Sequence, residues 1–416
     1  MVALLIATQT AFVQAAQAQA APRQLVVIVA EGLSPQLLDI GSTYIKTAAQ
    51  GTADEDAASA ISEMKAMARM SAATPETLNS LRGLLKNAQA NGYRTGLIST
   101  DDVTRPGALF YDLPTDADAA STLVMSSKFD FLAGGGRSGF VSKQIPGSTR
   151  TDALDPVNAI RNSGNTALFN ADSVEDTEQE IRGRALVLQA DSELPYAIDR
   201  NPERSAGLGE MAGLAMQTLA GANDAPFVLV IHDHLLAKAV AAKDTPAMLE
   251  EFRELDGIVG NLIGFREAKD NPASMAIALL ATGGDMVPRF TSESAQDRSN
   301  ALFVASQLPF SYSGAGMMLR GANSQRLDEF ATEEYKGWKL SQENRAAILA
   351  GTMTAEAAIR SSYEPSIALS FEAAPAAPML LSVGVSGDDI VAMINQMVMN
   401  RPGRAMMNAP MTAPAM

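Results

Sequence analysis

The chain has 416 residues, 47% of them apolar and 19% charged, which provides for a sizeable core and excludes general disorder. Its 47 acidic residues against 32 basic ones give a formal net charge of −15, a sign that repels nucleic-acid backbones and argues against binding them. No cysteine is present, so disulfides and thiolate metal sites are excluded.

In chain order, Met1 to Val13 is a short apolar stretch, and Ala18-Gln19-Ala20 before Ala21-Pro22 has the small residues of a signal-peptidase site. Residues 1–20 are therefore expected to be a signal peptide, with export to the periplasm. No Lys or Arg precedes the apolar stretch, and it is too short to span a bilayer as a helix, so no transmembrane segment is expected. Gln24–Ala30, apolar from Leu25 onward and rich in β-branched residues, has the pattern of a parallel strand buried on both faces. Similar strands are predicted at Thr95–Ser99, Phe129–Ala133, Phe227–Ile231 and Met275–Ala281. Helical periodicity falls between them, over Asp56–Met70, Pro75–Gln89, Ser205–Ala220 and Pro246–Lys269. Strands alternating with helices predict an α/β fold with a large, mainly parallel central sheet and helices on both faces.

No repeat or long linker divides the middle, so residues 21–396 read as one domain, with 289–370 as an insertion beside the sheet. From about Met397 the sequence mixes Met, Ala, Pro and Asn without periodicity and is expected to be a disordered tail. Its thioethers lack the even clustering that a copper site would need.

The segments resemble the alkaline phosphatase family, in the family's order. Ala30-Glu31-Gly32-Leu33 is similar to the strand and Gly-Asp-Gly that open the family. Glu55 to Ala60 resembles its nucleophile segment, Tyr93 to Thr100 its next strand, Pro106 to Tyr111 the segment that follows, and Asp130 to Arg137 its Gly-Gly-Gly-Arg strand exit. Leu194 to Arg200, Leu208 to Met211, Phe227 to Asp256 and Gly384 to Ile390 continue the match over roughly 360 residues. The resemblance implies a site at the carboxyl ends of the strands and an activity as a phosphoric monoester hydrolase. It also implies a pair of zinc ions, a magnesium ion, a serine nucleophile and an arginine that clamps the phosphate. Homodimers are common in the family.

The residues at the matching positions depart from that chemistry. The family's pattern needs three zinc-binding histidines, and this chain has two histidines in total, His232 and His234. The bridging aspartate falls on Glu31, the magnesium-binding glutamate on His232, a zinc-binding aspartate on Ala237, and the next ligand region on Lys238 to Ala241. An Asp-His pair falls on Gly284 and Asp285, and the last histidine on Val385. Asp56 stands at the nucleophile position, with Ser59 or Thr52 as fallbacks if the register slips. No Lys or Arg occurs from Pro106 to Ser127, where the clamp is expected. Without zinc or that arginine an acidic protein has little to hold a phosphate dianion.

Two readings stay open. In one, phosphomonoesterase activity is lost, no cofactor is held, and the chain persists as a binding or interaction protein. In the other, a reorganised metal site uses Glu31, His232, His234 and Asp285 with zinc and magnesium. His232 and His234 lie two apart at a strand end and so share a face, as ligands or as a hydrogen-bonded pair, with Asp233 opposite. Asp54, Glu55 and Asp56 read as the acidic opening of a helix, and Gly134-Gly135-Gly136-Arg137 as a tight strand exit, since it lacks the Lys-Ser/Thr of a phosphate-cradling loop.

Overall fold

The computed structural model describes residues 22–49, 58–67, 71–72, 81–113, 119–169, 181–221, 223–335, 338–375, 378–384 and 389–393. Eleven strands are seen among them: β1 (Gln24–Glu31), β2 (Ser71–Ala72), β3 (Arg94–Asp102), β4 (Phe131–Gly135), β5 (Thr166–Phe169), β6 (Ala185–Leu188), β7 (Phe227–Asp233), β8 (Met275–Gly283), β9 (Met286–Phe290), β10 (Leu369–Ala373) and β11 (Met379–Val383). Nine form one sheet in the order β2-β11-β8-β1-β7-β3-β4-β6-β5, and β9 and β10 form a separate antiparallel pair. The seven strands from β8 to β5 are mutually parallel, and β11 runs antiparallel to β8. The expected α/β architecture is present.

The apolar runs have a simple cause. Val26, Ile28 and Ala30 of β1 belong to one core cluster, and Leu25, Val27 and Val29 to another on the opposite face of the sheet. Successive side chains point to opposite faces, so a strand covered on both sides needs apolar residues at every position. The same alternation places Leu97, Val228 and Val230 on one face and Ile98 and Ile231 on the other.

All five predicted strands are observed. Two helices begin later than their sequence periodicity predicts, at Ala60 and Leu208, because side-chain caps set their starts. The described part of the first runs Ala60–Met67; Asp56 lies outside the described residues. The Ser59 hydroxyl accepts from the Ser62 amide at 3.2 Å and donates to Asp256 Oδ1 at 2.7 Å. Asp256 also accepts from the amides of Ala60 (3.1 Å) and Ile61 (2.9 Å), which no intrahelical carbonyl can serve. Asp256→Ala leaves three donors without an acceptor and is expected to cost about 2–4 kcal/mol, read as a lowered urea midpoint; a change under about 0.5 kcal/mol would show that water replaces the carboxylate without loss.

Of the helix predicted over Pro75–Gln89, residues 75–80 lie outside the described residues; the described part forms the helix Leu84–Ala90, after Gly83 in a left-handed conformation (φ 71°). Leu208–Ala220 begins after a box in which Glu210 accepts from the Gly207 amide at 2.6 Å, and the long fourth helix spans Thr245–Glu267. Between β8 and β11 the described residues form the β9–β10 pair, five α-helices, among them Tyr312–Met318, and one π-helical turn. Two carboxylates tie that helix to the main body. Asp244 accepts from the amides of Tyr312 (3.0 Å) and Ser313 (2.9 Å), and Asp199 from the amide of Ser311 (2.9 Å).

β1 ends in a turn that only glycine fits. Gly32 has φ 81°, and an added Cβ would lie 2.5 Å from the Ala237 Cα of the helix Leu235–Ala242. That close approach sets the helix directly against the carboxyl end of β1.

Candidate functional site

Strand register gathers the polar residues. His232 pairs in register with Val29 of β1 and with Ser99 of β3. Glu31, Ser99 and His232 therefore extend the same face at the carboxyl edge, while Thr100 and Asp233 extend the other.

On the first face the side chains form a continuous chain. Ser99 Oγ lies 3.0 Å from His232 Nδ1, and His232 Nε2 lies 2.9 Å from Glu31 Oε1. Glu31 Oε2 lies 2.6 Å from His234 Nδ1. The imidazole rings are 12° from parallel, 6.4 Å between centroids. Burial disfavours the Glu31 charge, but the hydrogen bonds and positive character of His232 and His234 outweigh it and hold the carboxyl at about 2. The Glu31 hydrogen bond raises the pKa of His234 against the lowering effect of burial.

The second face is drier. Thr100 Oγ1 accepts from the amides of His234 (2.8 Å) and Leu235 (3.2 Å), capping the helix Leu235–Ala242, and donates to Asp233 Oδ1 at 3.4 Å. Asp233 Oδ2 is buried without a hydrogen-bond partner. Burial, together with the nearby Glu254 charge, pushes Asp233 up to about 7. Glu251, on the helix Thr245–Glu267, is raised well above its ordinary value by burial and by Glu254 and Asp233, and its Oε2 is likewise without a partner.

Two ion pairs contribute to the field at His234. Asp101 accepts from Arg105 at 3.1 Å, and Glu193 pairs with Lys238; both carboxylates raise the His234 pKa. Arg105 stands one residue ahead of the window in which the sequence offered no cation. Ser99, Thr100, Asp101 and Arg105 are the residues of the candidate site that sequence reasoning missed. Ser99 and Thr100 had been read as strand end alone, and only pairing with β7 puts them beside His232 and Asp233.

The remaining sequence candidates are placed as follows. Glu31, His232 and His234 are brought together. Asp285 is exposed just past β8, and no hydrogen bond joins it to the other three. Ser59 is buried and serves as the helix cap described above. Asp56, Thr52, Asp54, Glu55 and Val385 lie outside the described residues, as do the expected signal peptide and tail. The glycine run at 134–136 closes a strand exit: the amides of Gly136, Arg137 and Ser138 donate to carbonyls of Ser192, Ala190 and Asp191. A cavity of about 390 Å³ lies elsewhere, lined by Arg200, Ser205, Gly207, Glu210 and Asn261 among others.

Among the described residues, the donors Glu31, His232 and His234 as placed do not fit a two-zinc centre. Two donors tetrahedrally bound to one zinc at about 2.0–2.1 Å stand about 3.3 Å apart. The Glu31–His232 and Glu31–His234 contacts are shorter than that, at 2.9 and 2.6 Å, and each carboxylate oxygen already faces an imidazole nitrogen. Among the described residues no three His, Asp or Glu side chains are grouped to hold a metal.

A mainly parallel, doubly covered sheet with its charged side chains gathered at the carboxyl edge defines an α/β protein of the open-sheet type. The model of the family described as alkaline phosphatase matches residues 112–294. The fold is shared with the alkaline phosphatase of Thermus thermophilus, at 17% identity over 91% of each chain and a TM-score of 0.68. It is shared too with the cold-active enzyme of a Shewanella species, at 15% identity over 90% of this chain and 98% of that one, with a TM-score of 0.69. At such identities the likeness to these structures is one of fold. No curated protein sequence matches the chain. The family-model match covers less than half of the chain, and the shared fold extends the likeness to alkaline phosphatases over most of the rest.

Proposed function

We propose that this chain is a member of the alkaline phosphatase family that has lost two-zinc phosphomonoester hydrolysis and persists as an exported, periplasmic binding or interaction protein. One observation carries the reading: both oxygens of Glu31, the carboxylate at the metal-bridging position, are engaged by His232 and His234. The chain has no third histidine, and Lys238 brings positive charge to a position where ligands should supply negative charge. Export rests on the signal-like residues 1–20, and no described helix is long and apolar enough to cross a membrane. A homodimer is proposed from the family resemblance alone.

The same cluster favours a second reading, in which rotation of the imidazoles opens Glu31, His232 and His234 to a metal, with Asp285 drawn in as a further ligand. Elemental analysis of protein expressed with zinc and magnesium, run beside an aryl phosphate assay, separates the two. The first reading expects less than about 0.1 zinc per chain and no turnover above buffer; near-stoichiometric zinc with turnover establishes the second.

A further inference from the structure

We infer that His234, held by Glu31, is a metal-independent general base for the hydrolysis of uncharged carboxylic esters. The inference rests on the reading that the site no longer works through zinc, and it adds an activity to that reading.

The hydrogen-bond chain has one consistent direction. The Asp101 amide donates to Ser99 Oγ at 3.0 Å, and a neutral His232 protonated on Nε2 accepts the Ser99 hydroxyl proton at Nδ1, 3.0 Å away. A carboxylate only accepts, so His232 must carry its proton on Nε2 to meet Glu31 Oε1 at 2.9 Å. By the same rule His234 carries its proton on Nδ1, donated to Glu31 Oε2 at 2.6 Å. The lone pair of neutral His234 is thereby left on Nε2. No hydrogen bond among the described residues reaches that atom, and the side chain is 30% exposed. A nitrogen base oriented by a carboxylate on its far nitrogen is the pairing that activates water or a hydroxyl nucleophile. Ser99 is fully buried and cannot meet a substrate; it is a positioning residue, fixing His232 and through it Glu31.

Charge selects the substrate class. Glu31 places a negative charge beside the base, which repels a phosphomonoester dianion and leaves a neutral ester unopposed. In the reaction a water proton passes to His234 Nε2 as the water oxygen bonds to the acyl carbon. The tetrahedral intermediate then breaks its bond to the alcohol oxygen, which takes the proton back from Nε2. One ester and one water become one acid and one alcohol, and the base is restored.

The probe is p-nitrophenyl acetate, with the full chain treated with EDTA. The EDTA-treated wild type is expected to hydrolyse it, with kcat/KM falling about 100-fold in His234→Ala and kcat returning, above the rate of the same imidazole without protein, when imidazole is added to that variant. Glu31→Gln is expected to lower kcat and leave KM unchanged, and the thermal midpoint of each variant establishes that it is folded. Absence of turnover by the EDTA-treated wild type, wild-type rates in folded His234→Ala, or failure of imidazole to restore activity would each overturn the inference and leave the proposed loss of zinc chemistry standing. Turnover abolished by EDTA and restored by zinc would overturn both.

Discussion

Raising the pH from about 5 to about 8 is expected to weaken the fold, and Asp233→Asn to remove much of that loss. Asp233 is buried, has an unpartnered oxygen, and is pushed up to about 7 from an ordinary value of 3.8. Between those two values the folded chain holds a proton that the unfolded chain has released. Stability therefore falls as pH rises through this window and levels off above it. A shift of that size on an isolated group corresponds to roughly 4 kcal/mol, an upper bound here because Glu251 shares the titration. Other groups act with the same sign. Asp199, Asp244 and Glu251 are all raised by burial, and the support from His234, raised by Glu31, is lost as pH climbs through its folded pKa. Glu31 acts in a different range: its contribution is present above about 4.5 and is lost as pH falls towards about 2. Urea midpoints measured across the range check the expectation. A wild-type midpoint that rises with pH, or an Asp233→Asn slope equal to the wild type's, would show that Asp233 is charged in the fold at no cost.

Asp244→Ala is expected to destabilise the protein by about 3–5 kcal/mol, among the larger effects available to one substitution. The carboxylate is fully buried, and it serves two helices at once. It caps Thr245–Glu267 by accepting from the Ala247 amide, and it receives the Tyr312 and Ser313 amides at the start of Tyr312–Met318. An alanine leaves the buried Tyr312 amide and the part-buried Ser313 amide of the second helix without their acceptor. Loosening should concentrate on the segment between β8 and β11, so hydrogen exchange is expected to rise around residues 311–318 before it rises in β1 or β7. Uniform exchange, or a loss below about 1 kcal/mol, would show that Asp199 alone holds the segment through Ser311.

The sequence is most legible where one physical rule acts without competition. β1 and β7 are legible because a strand covered on both faces needs apolar residues at every position, and Leu25–Ala30 and Phe227–Ile231 comply. Their charged ends mark the carboxyl edge. Helix starts were less legible, because periodicity continues past the residues that cap. Ser59 reads as one more polar residue until Asp256, far along the chain, is placed against it. Asp285 illustrates the reverse case: it follows a well-predicted strand, yet its side chain is turned to solvent.

From the sequence alone came the α/β class, the family resemblance, and the shortage of histidines, since alternation, motif order and composition are properties of the linear chain. The tertiary structure decided which side chains share an atom. Hydrogen bonding acts over about 3 Å, and no linear pattern reports that Ser99, His232 and Glu31 fall within it. Parallel register between β1, β7 and β3 brought them there, and with them came the direction of the proton chain that leaves His234 Nε2 bare.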